Sequence, residues 1–91
     1  MNWNRFLTSS DVMILLYLLR HGEVRYSELL KAIGKTRGVV AASLHDLKRR
    51  RLVERTVVEQ TSPIQTKYKL TDKGREVARV LSQLLQLISA R

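Results

Sequence analysis

The chain has 91 residues, a formal net charge of +9 and no cysteine, which excludes disulfides, thiolate catalysis and cysteine-based zinc sites. With 44% hydrophobic and 27% charged residues it has the composition of a globular protein, and its length is that of one domain over 1–91. The apolar run 12–19 is far shorter than the roughly 20 residues of a membrane span, and no cleavage site follows it. We therefore expect a cytoplasmic protein that does not enter a membrane.

The positive charge is concentrated in one segment. Residues 35–55 contain seven of the 17 Lys and Arg residues and two of the eight acids, so they carry +5 of the net +9. A localised basic patch is typical of a protein that binds a polyanion, whereas a basic surface that serves only solubility would spread its charge more evenly.

The first predicted element is a helix that follows an N-terminal arm, residues 1–8. Thr8 or Ser9 is placed to cap this helix, which runs to about His21. Gly22 then ends it, because glycine adopts the left-handed conformation that closes many helices.

A brief strand and two further helices come next. Residues 23–25 have room only for a short strand. Ser27 is placed to cap a second helix, which Gly34 closes. After a tight turn, Thr36 is placed to cap a third helix that ends near Arg50. Two helices joined by such a turn form a helix–turn–helix unit.

The C-terminal half predicts a β-hairpin followed by a long helix. Two β-rich segments flank a turn over 60–64, where Pro63 stands because proline cannot donate a hydrogen bond in a central ladder. Thr71 is placed to cap a last helix over 71–91. The predicted fold is therefore α+β and mainly helical, with a two-stranded hairpin.

The third helix has one apolar face and one face that is almost free of bulk. Val40, Leu44 and Leu47 recur at the spacing of a buried stripe. At about 100° per residue, the opposite face carries Gly38, Ala42, His45 and Arg49. Small residues let a helix backbone approach a surface closely, and a helix N-terminus favours phosphate. The pattern predicts a helix that enters the DNA major groove with its N-terminal end first.

These features also have a purely structural explanation. Gly and Ala occur on solvated helices, and Lys and Arg residues at a helix C-terminus complement the helix dipole. The preceding helix and turn favour the DNA-binding interpretation, because a helix–turn–helix unit presents such a face to DNA.

No group of residues has the spacing of a catalytic or metal site. His45 and Asp46 are neighbours on a helix and diverge by about 100°, so they do not form a relay. His21 lies near a helix C-terminus, where a surface histidine interacts favourably with the dipole. We therefore expect no enzyme, no cofactor and no bound metal.

Four motifs between residues 25 and 74 carry a family resemblance: RYSELLKAIG, SLHDLKRRRLVERTVV, Pro63 and YKLTDKG. The segment resembles the winged helix-turn-helix transcription regulators of the MarR and HxlR kind. The resemblance implies a dimer in which the helix over 36–50 enters the major groove and the hairpin over 52–70 is the wing. Two features depart from the family pattern: Arg51 stands where a glycine usually precedes the Leu-Val pair, and the wing tip lacks a basic residue.

The predicted DNA contacts come from the third helix and from the strands of the wing, since the wing tip has no cation. The residues predicted to contact double-stranded DNA are Lys35, Thr36, Arg37, Gly38, Val39, Ala42, Ser43, His45, Lys48, Arg49 and Arg50 of the helix and the turn before it, and Arg55, Lys67 and Lys69 of the wing.

The last helix has more apolar surface than one domain needs. A helix that rests on its own domain requires an apolar stripe about 100° wide, whereas apolar residues cover about half of this one. Together with a first helix that is apolar on all sides over 12–19, this predicts an isologous homodimer, with a thick-cored monomer as the alternative. The residues predicted to form the dimer are Leu15, Val77, Val80, Leu81, Leu84, Leu85, Leu87 and Ile88.

The sequence thus predicts a dimeric, sequence-specific regulator of transcription, acting as a repressor, that binds double-stranded DNA. The alternative is a non-catalytic winged-helix module that docks protein or RNA in a larger assembly. The residues identify neither the DNA site nor a small-molecule effector.

Overall fold

The computed structural model describes residues 9–90, which form four helices and a three-stranded antiparallel sheet. In chain order the elements are α1 (Ser10–His21), β1 (Val24–Arg25), α2 (Tyr26–Ile33), α3 (Arg37–Arg49), β2 (Val53–Val58), β3 (Gln65–Leu70) and α4 (Asp72–Ser89). The predicted order of elements and the mainly helical α+β class are confirmed. The predicted N-terminal arm, residues 1–8, lies outside the described residues.

Side-chain caps begin three of these helices. Ser9, Thr36 and Thr71 each accept a hydrogen bond, at 2.9–3.4 Å, from the backbone N–H three residues further along the chain. The prediction of Ser27 as a cap is wrong. Helix α2 begins directly after β1, and Arg25 takes the cap position without a side-chain hydrogen bond.

Helix α1 lies at the centre of the helical part and packs against α2, α3, α4 and β3. These neighbours explain why it is apolar on all sides without any partner chain. Ile14, Leu15 and Leu18 are at most 4% exposed. The prediction that Leu15 forms part of a dimer interface is therefore wrong, because its side chain belongs to the core of its own chain.

The sheet has one strand more than the predicted hairpin. Strand β3 lies in the middle and pairs with β2 along its whole length. On its other side, Val24 and Arg25 of β1 pair with Tyr68 and Lys67. Strand β1 connects the wing to the start of α2, and β2 follows the end of α3. The wing is therefore attached to both ends of the helix–turn–helix unit.

The end of α3 is fastened to the start of α4. Arg51 has a left-handed backbone with φ of 62°, a conformation that costs a non-glycine residue about 1–2 kcal/mol. The Thr71 hydroxyl donates to the Arg51 carbonyl at 2.6 Å, and the Thr71 N–H donates to the Leu52 carbonyl at 3.1 Å. A Cβ on Gly74 would lie 1.8 Å from the Leu52 carbonyl oxygen, so glycine is required for this close approach.

Candidate nucleic-acid interface

The outward face of α3 is free of large side chains near its N-terminal end. Val40, Leu44 and Leu47 are at most 2% exposed, so the predicted buried stripe is confirmed. Gly38 and Ala42 are exposed on the opposite side. A Cβ on Gly38 would meet nothing within 4 Å, so the fold itself does not require a glycine there. Its small size therefore favours the approach of a second molecule.

The first turn of α3 presents groups suited to base edges and phosphates. Val39 is 44% exposed, and an apolar side chain at this place can contact a thymine methyl group. Arg37 is exposed and forms no ion pair within residues 9–90. Thr36 is exposed as well, although its hydroxyl is already engaged as the cap of the helix.

Ser43 does not belong to this outward face. It is 8% exposed, and its hydroxyl is hydrogen-bonded to the Ser10 hydroxyl of α1. The prediction of Ser43 as a DNA contact is therefore wrong. The physical reason is that α1 packs against this side of α3, and a buried hydroxyl without a partner would be costly.

Asp46 lies among the basic residues at the C-terminal end of α3. Its carboxylate pairs with Arg49 at 3.4 Å and with Arg50 at 3.1 Å. Exposed pairs of this kind contribute about 0.2–1 kcal/mol, so a DNA phosphate can replace the carboxylate at small cost. Lys48 and His45 have no carboxylate partner in the described part of the chain, so they present their full hydrogen-bonding capacity.

The basic residues predicted for the wing lie on two different faces of the sheet. Arg55 is paired with Tyr68, and paired residues of an antiparallel sheet share a face. This face is turned toward the helices, because Tyr68 packs against the hydrophobic core. Lys67 and Lys69 alternate with Tyr68 and lie on the opposite face, where Lys69 approaches Glu54 at 3.8 Å. The structure thus brings Arg55 next to α3 and leaves the two lysines behind the sheet.

A groove of about 440 Å³ separates α3 from the inner face of the wing. The lining residues are Tyr26, Ala41, Leu44, His45, Lys48, Arg55, Thr66 and Tyr68. Among the residues that the structure describes, this lining contains two cations, one histidine and three hydroxyl groups, but no carboxylate. We call this feature the helix–wing groove. Its chemistry is that of an anion-binding site.

The three hydroxyl residues of this lining were not among the predicted DNA contacts. Thr66 and Tyr68 could have been found from strand alternation, because the hairpin register places them on the same face as Arg55. Tyr26 carried no such signal. It reaches the groove because β1 pairs with β3, a contact between distant parts of the sequence.

The wing tip, residues 59–64, is uncharged except for Glu59. Ile64 is 63% exposed there. An acidic and apolar tip is poorly suited to hold a DNA phosphate. The basic residues of the wing lie on its strands instead.

Helix α4 carries two adjacent apolar stripes. Ala78 is buried, and Val77 and Leu81 pack against the core, so one stripe rests on the helix's own domain. Val80 and Leu87 are 63% and 75% exposed and belong to the second stripe. The remaining predicted dimer residues, each half-buried, are Leu84, Leu85 and Ile88.

Residues 9–90 contain no group of three His, Asp or Glu residues that could hold a metal ion. None of their helices combines the length and the apolarity that a membrane crossing requires.

A helix–turn–helix followed by a β-wing, with an exposed basic third helix, defines a DNA-binding transcription regulator of the winged-helix type. The profile of the HxlR-like helix-turn-helix family matches residues 7–91. The chain belongs to this family, and the predicted resemblance to MarR- and HxlR-like regulators is confirmed.

Individual relatives agree with this assignment. Over 79 residues the chain is 32% identical to YvaP, an uncharacterized HTH-type transcriptional regulator of Bacillus subtilis (strain 168), and the match covers 86% of this chain and 72% of YvaP. The putative transcriptional regulator ytfH from Salmonella typhimurium has a similar structure, with a TM-score of 0.77 and 26% identity over 96% of this chain and 80% of ytfH. Streptococcus pneumoniae FabT, solved in complex with DNA, has a TM-score of 0.74 and 26% identity over 86% of this chain and 54% of FabT.

Proposed function

We propose that the chain acts as a homodimer that recognises a specific double-stranded DNA site and represses transcription there. The observation that carries this proposal is the outward face of α3. Gly38 and Ala42 leave its N-terminal half open, and the cations Arg37 and Lys48 are free of carboxylate partners within residues 9–90. The complex of FabT with DNA supports the proposal, since FabT has a similar fold.

The contacts divide into base readers and phosphate contacts. Base edges would meet the first turn and the outward face of α3, because a helix reads the major groove with its N-terminal residues. The proposed base-reading residues are Arg37, Gly38, Val39, Ala42 and His45. The proposed phosphate contacts are Lys35, Thr36, Lys48, Arg49, Arg50 and Arg55. Lys67 and Lys69 would contribute less, because they lie on the far face of the wing.

Dimerisation supplies the second reading helix. One helix seldom contacts enough bases to select a site in a genome, whereas two helices about 34 Å apart read successive major grooves on one side of the duplex. The exposed side chains of Val80 and Leu87 on α4 offer the apolar surface for a two-fold interface. Repression would follow from occupation of a site that the transcription machinery also needs.

Selection of duplexes from random sequence by the purified chain tests the recognition. We expect enrichment of a palindrome whose half-sites are about 10 base pairs apart. Affinity for that palindrome should fall steeply with salt, with a log–log slope of roughly −0.9 for each phosphate neutralised. No enriched sequence, together with equally tight binding of single-stranded RNA, would contradict the proposal and favour the docking module.

Two further measurements complete the test. Sedimentation at micromolar concentration should give a dimer, and a monomer that still binds the palindrome tightly would contradict the assembly. Transcription from a promoter that overlaps the selected palindrome should fall when the protein is added. Unchanged or increased transcription there would contradict repression alone.

A further inference from the structure

We propose that the helix–wing groove holds one phosphate of the DNA backbone in each half-site, with Tyr26 and Tyr68 as hydroxyl donors beside Lys48 and Arg55. This inference rests on the proposed function and adds to it. It assigns a binding site to residues outside α3 that the sequence did not identify, and it names the part of the DNA that they contact.

The charge on the two flanks of α3 differs. On the flank away from the wing, Asp46 pairs with Arg49 and Arg50. On the flank beside the wing, Lys48 and Arg55 line the groove, and neither has an acidic partner among residues 9–90. The flank beside the wing therefore carries two cations and no carboxylate, whereas Asp46 offsets one of the two arginines on the other flank. A phosphodiester carries one negative charge, so the flank beside the wing is the more favourable place for it.

The two tyrosines provide donors whose positions are already set. Their ring centroids are 6.2 Å apart at an interplanar angle of 53°, and both rings pack against the hydrophobic core. Both residues are half-buried and line the groove. Neither hydroxyl has a hydrogen-bond partner in the part of the chain that the structure describes. A tyrosine hydroxyl is a common donor to phosphate oxygens in protein–DNA interfaces.

The size of the major groove explains why this flank would meet the backbone. A helix with its side chains is about 10–12 Å in diameter, and the major groove is about 12 Å wide. When the outward face of α3 meets the bases, its flanks must therefore lie against the phosphates at the groove edges. The helix–wing groove is lined by Ala41, which flanks the reading face of α3, and by His45, which belongs to that face. The helix–wing groove therefore adjoins the reading face.

A single bound phosphate in this position would fix the register of α3 on the duplex. Phosphate contacts orient a protein on DNA, while base contacts select the sequence. Loss of the groove contacts should therefore weaken all sequences by similar factors and leave the selected palindrome unchanged.

The test replaces individual phosphates of the selected palindrome by uncharged methylphosphonates, one position at a time. For the wild type we expect one phosphate per half-site, at the edge of the DNA major groove, whose replacement weakens binding about tenfold. Arg55→Gln, Tyr26→Phe and Tyr68→Phe should each weaken binding of the unmodified duplex. Each variant should also remove most of the effect of that one methylphosphonate, because the contact is already lost.

Matched variants control for ring and charge changes elsewhere. Tyr17→Phe removes a hydroxyl from α1, where the ring of Tyr17 lies 4.2 Å from that of His21. Arg79→Gln removes an exposed charge from α4. Both controls should keep the full methylphosphonate effect. Thermal unfolding of every variant without DNA should match the wild type, which shows that the losses arise in the contact.

Two outcomes would overturn the inference while the proposed function stands. In the first, the palindrome is bound specifically, but the losses from each variant and each methylphosphonate simply add at every position. In the second, inorganic phosphate at constant ionic strength raises the unfolding temperature of the wild type but not of Arg55→Gln, and the losses on DNA are again additive. That result would assign the groove to a free anion. If no duplex is selected at all, the proposed function fails first.

Discussion

Helices α3 and α4 both leave one face uncovered, and the two faces have opposite chemistry. The uncovered face of α3 begins with Gly38 and Ala42 and ends in arginines, whereas that of α4 displays Val80 and Leu87. A narrow, basic surface suits the negatively charged major groove of DNA, and a broad apolar surface suits another apolar surface. The composition of an exposed face, more than its exposure, therefore indicates the kind of partner that the face binds.

Each of these helices also contains one glycine, for different reasons. Gly74 of α4 is packed against the Leu52 carbonyl, so the fold of the chain requires it. Gly38 of α3 faces open space, so the fold does not. The same change, glycine to alanine, should therefore have opposite effects on stability in the two helices.

The largest effect is expected for Gly74→Ala. The new Cβ would overlap the Leu52 carbonyl oxygen, so α4 would have to move away from the end of α3. We expect a loss of about 3 kcal/mol or more in the free energy of unfolding, which corresponds to a decrease of roughly 10–20 °C in Tm. Thermal unfolding of Gly74→Ala beside Gly38→Ala measures this. Equal melting temperatures would show that α4 does not need this contact.

The next effect concerns the apolar face of α4. Leu87 is 75% exposed in the single chain, so Leu87→Glu should leave each chain folded but place a charge inside a dimer interface. Sedimentation should give a monomer, and affinity for the selected palindrome should fall about hundredfold, since only one reading helix remains. Gln86→Glu, on the polar side of the same helix, is the control. A Leu87→Glu dimer with normal affinity would mean that another surface joins the chains.

A smaller loss is expected on the reading face of α3. Ala42→Glu adds bulk and a negative charge to an exposed position. Folding should therefore be preserved, while α3 no longer fits the DNA major groove. We expect affinity for the palindrome to fall about thirtyfold, within the range of one good base contact. Ala32→Glu, an exposed position of α2 beside α1, is the control and should bind normally. Normal affinity of Ala42→Glu in a titration would show that this face does not read DNA.

The smallest and most discriminating change is Gly38→Ala. Alanine should stabilise α3 by up to about 1 kcal/mol, because glycine is a poor helix former and the methyl group meets nothing within 4 Å. The same methyl group should reduce affinity for the palindrome about fivefold, since it separates the helix from the bases. Stability and affinity would thus move in opposite directions. A variant that gains both would show that DNA does not approach α3 at this residue.

Local features of the sequence were sufficient for much of the fold. Hydroxyl residues before the apolar helical segments identified Thr36 and Thr71 as caps and narrowed the first cap to Thr8 or Ser9, of which the structure has Ser9. Helical spacing identified the buried stripe of α3. The family resemblance placed Arg51 at a position where a glycine is usual, and the backbone there is left-handed. These features depend on groups a few residues apart, so a pattern along the chain contains them.

Errors arose wherever a distant element decided the environment. Ser43 and Leu15 have the residue types of a polar contact and an apolar interface, yet both are covered by other parts of the same chain. Ser27 failed as a cap because β1, which pairs with the distant strand β3, leads directly into α2 and places Arg25 at the cap position. In each case the polarity of the side chain was known from the sequence, but the structural environment predicted for it was wrong.

Polarity, helical and strand periodicity, caps and the concentration of positive charge are properties of neighbouring residues, and the sequence alone determined them. It therefore determined the order of the elements, the family and the kind of face that α3 presents. The pairing of β1 with β3, the opposite placement of Arg55 and Lys67, and the groove with Tyr26 and Tyr68 depend on contacts between distant segments. Only the tertiary structure decided these, because sheet register and helix packing bring together residues that no local pattern connects.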